Sequence, residues 1–426
     1  MTPRLLPAAV CRVLAGPRHT ERLFARYGDL VPDWAPGVGR LVWLRSPHLI
    51  EQVLRSPAVD LTAMGRAFAR AVGSPSTLVA LSGERHRTVR SAVMSTVRGD
   101  ALAASRAAIT TVAQRMADAC PTGRPFRLLP LLERAVVQAN IRTGAGIHDP
   151  HLLRIWTAAF LRLRRTAFRP LAVAHGLGLM PRYPPALRAQ RDCLVLIREE
   201  AARRWRVGAV HDDALGQLMV AQDRASADES LTGGLLSDQL MVWLFAAYAN
   251  SLAAAWVVER AVRQPGQWER VAAEATLADG DAPYTDAVIR ESLRLRPPVS
   301  LTVWRLRESC DLGGHRVGAG AWIVPSYWDV HRHPDLYPDP EAFRPERFLD
   351  ARPPRGAWLP FGVGPHACVG TQLALQQVKE LLHALARRGH LKPAVRGDEG
   401  IGWRSGFEIR PARGCRVILG SGPTAS

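Results

Sequence analysis

The sequence predicts a mainly α-helical fold with small β-sheets, and three observations carry that reading. Apolar residues recur at spacings of three and four along most of the chain; in "TQLALQQVKELLHALARR", Leu375, Val378, Leu381, Leu382 and Leu385 form one helical stripe. Strand-like runs are short and scattered: "GRLVWLR" (39–45), "LTVWRLRE" (301–308), "AWIVPS" (321–326) and the last thirty residues. No linker or internal repeat interrupts the 426 residues, so one domain over 1–426 is expected. With 47% hydrophobic and 22% charged residues, the chain has the composition of a globular protein able to bury a cofactor.

Taken in order, the opening "MTPRLLPAAVCRVLAGPRH" has an apolar run broken by arginine and proline. It is too short for a membrane span and has no clear cleavage site, so no membrane anchor is expected. In "SGERHRTVRS", His86 and Arg90 lie four apart on one face of a predicted helix. The stretch "SDQLMVWLFAAYANSLAAAWVVERAV" is apolar all round and reads as one long buried helix. "YTDAVIRESLRLRPP" reads as a helix with Thr285 or Asp286 near its cap and Pro297 and Pro298 as its stop, and it puts Glu291 and Arg294 on a shared face. The final "GSGPTAS" has the composition of a disordered end.

The net charge of +18 invites a nucleic-acid or membrane reading, but its distribution argues against one. Arginines run from end to end without a basic tail or aromatic interleaving, and only Lys379 and Lys392 are lysines. No nucleic-acid partner is expected. Arg85, Arg87, Arg98 and Lys379 could form a basic face for an acidic electron carrier, with a merely solvated arginine surface an equal alternative. The cysteines at 11, 120, 193, 310, 368 and 415 form no C-x-x-C pair, so neither a zinc site nor a disulfide framework is indicated, and a reducing, cytoplasmic setting suits them.

"LPFGVGPHACVG" sets one cysteine among glycines just before the striped helix. Unpaired N–H groups and the helix dipole favour thiolate at such a place, which makes Cys368 a candidate metal ligand. Gly362, Gly364 and Gly370 can adopt backbone angles closed to other residues and leave room for a flat, bulky group.

Phe361, Gly364, His366, Cys368 and Gly370 fit the pattern Phe-x-x-Gly-x-basic-x-Cys-x-Gly, and the chain resembles the cytochrome P450 family from about residue 18 to residue 420. "DPEAFRPERF" resembles the family's meander and would supply Arg347 to a structural cluster with Glu291 and Arg294. The resemblance implies the cytochrome P450 fold, with haem b (iron protoporphyrin IX) between the long distal helix and the cysteine loop. It implies Cys368 as the axial iron ligand, a thiolate that favours O–O cleavage. Phe361, Gly362 and Gly370 would line the haem, and His86, Arg90, Arg305 and His366 would hold its propionates. Histidine at 366 departs from the usual arginine.

The distal helix departs further. Ala246 and Ala247 supply the small pair over the haem, but Ala249 and Asn250 stand where most monooxygenases of the family carry an acid and a threonine. Members with asparagine at this point include a hydroxylase and an isomerase. Asn250, helped by Ser251, would position a proton-delivering water, since an amide both donates and accepts; alternatively it is a polar residue that relieves a helix kink. Phe245, Tyr248, the 61–81 loop and "VSLTV" (299–303) are candidate pocket residues.

The function so implied is a soluble bacterial-type monooxygenase of secondary metabolism. It would hydroxylate or epoxidise a hydrophobic small molecule with O2 and electrons from a ferredoxin-type partner and its reductase. The alternatives are a haem-thiolate isomerase, dehydratase or peroxide-using enzyme, and a haem sensor without turnover.

Overall fold

A computed structural model describes residues 17–35, 38–72, 76–167, 169, 172, 175–176, 183–208, 212–224, 235–277, 281–349, 352–404 and 408–420. Residues 1–16 of the opening segment with Cys11, residues 421–426 of the "GSGPTAS" tail and part of the 61–81 loop lie outside the described residues. The helices are α1 (Pro17–Tyr27), α2 (Pro47–Arg55), α3 (Ala63–Val72), α4 (Gly83–Ser95), α5 (Gly99–Asp118), α6 (Leu129–Ala145), α7 (Pro150–Ala167), α8 (Pro184–Val207), α9 (Ala214–Arg224), α10 (Leu235–Ala246), α11 (Ala249–Ala261), α12 (Gln267–Ala275), α13 (Pro283–Leu295), α14 (Tyr327–Val330) and α15 (Thr371–Arg388). The strands are β1 (Leu30–Ala35), β2 (Gly39–Leu44), β3 (Val59–Asp60), β4 (Pro125–Arg127), β5 (Trp304–Leu306), β6 (Cys310–Leu312), β7 (His315–Val317), β8 (Trp322–Pro325), β9 (Leu391–Pro393), β10 (Ile401–Arg404), β11 (Glu408–Pro411) and β12 (Arg416–Leu419). The main sheet has the order β1-β2-β8-β5-β3, with β2 and β8 parallel. β4-β12-β9 form a second sheet, and β6-β7 and β10-β11 are two-stranded.

The striped helix α15 buries Val378, Leu381, Leu382 and Leu385, each at most 2% exposed, while Leu375 is half-buried. Full burial of one such side chain contributes about 1.5–3 kcal/mol, so this face alone anchors the helix behind the cysteine loop. α13 starts earlier than Thr285 or Asp286. Pro283 occupies its first turn, where the missing N–H costs nothing, and Thr285 instead donates its N–H and hydroxyl to the Glu274 carboxylate, at 2.6 and 2.7 Å.

The apolar stretch expected as one helix is two. Between α10 and α11 the chain tightens: Tyr248, Asn250 and Ser251 donate their N–H groups to the carbonyls of Phe245, Ala247 and Tyr248, three residues back, at 3.2, 3.0 and 2.9 Å. The span 236–261 is long and apolar enough to cross a membrane, but 72% of its apolar window is buried inside the protein. It forms the centre of the main core, where Leu252, Ala254, Ala255, Val257 and Val258 are fully buried. Gly144 on α6 admits the Trp243 ring of α10 so closely that a methyl group there would lie 2.6 Å from Cζ3.

Candidate active site

The cysteine loop is shaped by its own backbone. Gly362 donates to the Leu359 carbonyl at 3.0 Å, Ala367 to that of Gly364 at 3.0 Å, and Cys368 to that of Phe361 at 2.8 Å. Gly362 and Gly364 have φ of 74° and 77°, the left-handed region that favours glycine. Gly370 does not share that role: its φ is −88° and it caps α15, and a Cβ there would stand 4.0 Å from the Cys368 sulfur. Phe361 sets its ring against Trp358, 5.8 Å between centroids.

Cys368 is exposed, yet enough protein surrounds it for burial to raise its thiol pKa. That burial outweighs the Gly370 N–H, the Thr371 hydroxyl and the Arg90 charge, which pull the other way. Burial and the donors at the helix start thus act in opposite directions on this thiol. A ligating metal cation deprotonates a coordinated thiol outright.

Three of the four expected propionate donors meet at one edge of this loop. His86 is 4% exposed, its ring lies 4.2 Å from that of His366, and its Nε2 is buried without a hydrogen-bond partner. Arg90 donates to the Ala367 carbonyl at 2.9 Å. Burial, with Arg90 and Arg87 adding repulsion, lowers the His86 pKa; burial, His86 and Arg90 pull His366 down to about 4. Both imidazoles are neutral at pH 7, each with one N–H to give. Arg305 is not brought to this group: it is exposed on β5, with its guanidinium over the Trp322 ring at 5.0 Å. The alternation of a strand turns Trp304 and Leu306 inward and Arg305 outward.

Facing the loop is a cavity of about 340 Å³, bounded by Gly362, Val363 and His366 below and by Phe245, Ala246 and Ala249 above. Phe68 and Leu61 of the 61–81 segment and Val299 and Thr302 of the 299–303 segment also line it. A sulfur donor on one side, neutral and cationic N–H donors with an orphaned imidazole at one edge, and bare alanines opposite fit a haem.

The distal helix corrects the sequence reading. Asn250 does not point into the cavity: its Nδ2 donates to Oε1 of Gln377 at 2.7 Å, and Gln377 passes the chain on to Asn140 at 3.1 Å. Ser251 is fully buried and donates to the Tyr248 carbonyl at 2.6 Å. The overwound turn rotates Ala249 to the cavity and sends both polar residues to the far side. Ala247 lies in that turn, between the helices.

Two features escaped sequence reasoning. Tyr327, hydrogen-bonded to Thr302, lies beneath Gly362, its hydroxyl 3.6 Å from where a Cβ would be. Glu408 on β11 reaches the cavity and accepts from Tyr248, an acid–phenol pair separated by 160 residues and carrying no local signal.

The expected cluster forms away from the cavity. Arg294 grips Glu291 with two bonds of 2.7 and 2.8 Å, both fully buried, and Arg347 stands 3.5 Å from the same carboxylate. Arg294 also donates to the carbonyls of His331, Pro340 and Ala342, tying α13 to the segment before the cysteine loop.

Helical layers around a cysteine loop and an apolar cleft define a haem-thiolate oxidoreductase. The family model described as cytochrome P450 matches residues 192–399. The cyclooctat-9-en-7-ol 5-monooxygenase of Streptomyces melanosporofaciens is 30% identical over 86% of this chain and 83% of its own length. Cytochrome P450 137 of Mycobacterium tuberculosis is 29% identical over 96% and 87%. The solved structure of a retinoic acid-bound cyanobacterial CYP120A1 shares the fold, with a TM-score of 0.80 at 22% identity over 97% of this chain and 96% of that one. The chain belongs to the cytochrome P450 family, whose cofactor is haem b.

Proposed function

We propose that this chain, as one domain over 1–426, is a soluble, cytoplasmic monooxygenase of secondary metabolism that hydroxylates or epoxidises a hydrophobic small molecule. The observation that supports it best is that the loop carrying the exposed Cys368 bounds, at Gly362, Val363 and His366, an apolar cavity also lined by Ala246 and Ala249. The relative named for 5-monooxygenation of cyclooctat-9-en-7-ol supports a cyclic carbon skeleton as substrate. Bound haem supplies the activation of O2 and the transfer of one oxygen atom to the substrate.

The chain's own residues do the rest. Cys368 would ligate the iron and His86, Arg90 and His366 would donate to the propionates; Arg305, which lies over Trp322, is the fourth donor that the family resemblance implies. Phe361, Gly362 and Gly370 give the porphyrin its bed. Phe245, Leu252 and Phe68 exclude water and hold apolar surface. Electrons come from a ferredoxin-type carrier and its reductase. Exposed Arg85, Arg87 and Arg98 on the cysteine side support an acidic partner, whereas Lys379 is engaged with Asp286 at 2.7 Å.

A second reading follows from the distal wall. With Asn250 and Ser251 turned away, Ala246 and Ala249 offer no proton-carrying side chain. A rearrangement consumes no protons and needs no such group; a monooxygenase, a dehydratase or a peroxide-using enzyme here would take its protons through water or through the substrate itself. Turnover with a surrogate ferredoxin system decides. Stoichiometric consumption of NADPH and O2 supports the monooxygenase, and full turnover without either gives the second reading. The reduced, CO-bound protein should show the red-shifted Soret band of a thiolate ligand, and Cys368→Ala should abolish it; an ordinary haem band in the active wild type overturns both readings.

A further inference from the structure

Among the described residues that line the cavity, Glu408 is the one carboxylate. It is 2% exposed and lines the cavity. The Tyr248 hydroxyl donates to its Oε2. The Arg164 guanidinium lies 4.5 Å from the centre of the Tyr248 ring, pairs with Glu133, and stands 3.9 Å from Glu408. As a carboxylate it can only accept hydrogen bonds.

Its position is rigid. The next residue, Ile409, is fully buried, donates its N–H to the Pro298 carbonyl at 3.1 Å and accepts from Trp256 Nε1 at 3.3 Å. A carboxylate fixed in an apolar wall penalises an apolar surface laid against it and rewards a molecule that brings a donor to that point.

We propose that Glu408 is the specificity-determining residue of this cavity: it accepts a hydrogen bond from a hydroxyl on an otherwise apolar substrate and so orients the skeleton over the cysteine side. The inference rests on the cavity being the substrate pocket of a haem-thiolate enzyme. The hydroxyl is an anchor and is unchanged by the reaction; oxidation falls elsewhere on the skeleton.

The test uses haem-loaded protein and three ring compounds of equal size: cyclododecane, cyclododecanol and cyclododecanone, titrated by the spectral shift on displacement of the iron's water. The alcohol has a donor, the ketone only an acceptor, the hydrocarbon neither. The alcohol should bind roughly ten- to a hundredfold more tightly than the other two. In Glu408→Gln, whose amide both donates and accepts, alcohol and ketone should converge while the hydrocarbon is unchanged. In Tyr248→Phe the carboxylate remains, so the alcohol should keep or increase its advantage; this arm decides if Glu408→Gln does not load haem. Equal binding of all three by wild type, an alcohol preference that survives Glu408→Gln, or one that vanishes in Tyr248→Phe would each overturn the proposal. The thiolate Soret band, read on the same samples, separates these failures from a failure of the haem-thiolate reading itself.

Discussion

Asn250 shows how one side chain's direction changes a mechanism. Its bond to Gln377 is buried, so Asn250→Ala leaves the Gln377 oxygen without its donor, a loss of about 1–3 kcal/mol. We expect a lower melting temperature with product formed per NADPH close to wild type, in both Asn250→Ala and Asn250→Thr. A water-positioning role would instead slow product formation by about 10²–10⁴-fold while NADPH drained to peroxide. The residue type at 250 could be read from the sequence, but its orientation could not. A turn with three-residue hydrogen bonds rotates later side chains by about 20° for each residue it includes, and nothing in "LFAAYANS" announces it. Arg305 was hidden by a similar ambiguity, because strand alternation fixes its face only once the sheet partner is known.

At the scale of elements, the cysteine loop separates two kinds of glycine that look alike in sequence. Gly364 needs its φ of 77°, and a Cβ there would meet Leu54 Cδ2 at 2.8 Å. Gly364→Ala should cost about 1–3 kcal/mol and shed haem on gel filtration. Gly370→Ala, at an ordinary φ with only the cysteine sulfur at 4.0 Å, should retain haem and lie within about 1 kcal/mol of wild type by thermal melts. α4, α13 and α15 were legible because their apolar spacing and fixed intervals (His86 to Arg90, Glu291 to Arg294) are local properties of a helix. The acid–phenol contact of Glu408 was not, since it is made only when β11 packs beside the α10–α11 turn.

Across the whole molecule, two buried charges set the response to mutation and to pH. Removing Glu291 strands Arg294 in the interior, a penalty of about 3–5 kcal/mol and a large part of a domain's stability. Glu291→Ala should yield little soluble, haem-loaded protein; abundant loaded protein without activity would instead place the cluster in the chemistry. Asp329 is 4% exposed, and burial raises its pKa from 3.8 to about 6, against hydrogen bonds from Ser326 and Thr20. Because the folded value is the higher one, its favourable contribution is complete below about pH 4 and is lost as pH rises through 6, on the order of 3 kcal/mol. In Asp329→Asn, the change in melting temperature between about pH 4 and about pH 7 should therefore shift in favour of the higher pH relative to wild type.

The amide chain from Asn140 through Gln377 to Asn250 spans α6, α15 and α11, so it clamps the helix behind the sulfur to the helix over the cavity. The gap between those helices is then set by side chains of fixed length and not by whatever fills it. Shortening any one of these three amides would therefore be felt on both walls of the cofactor's berth at once, at the helix behind the sulfur and at the helix over the cavity.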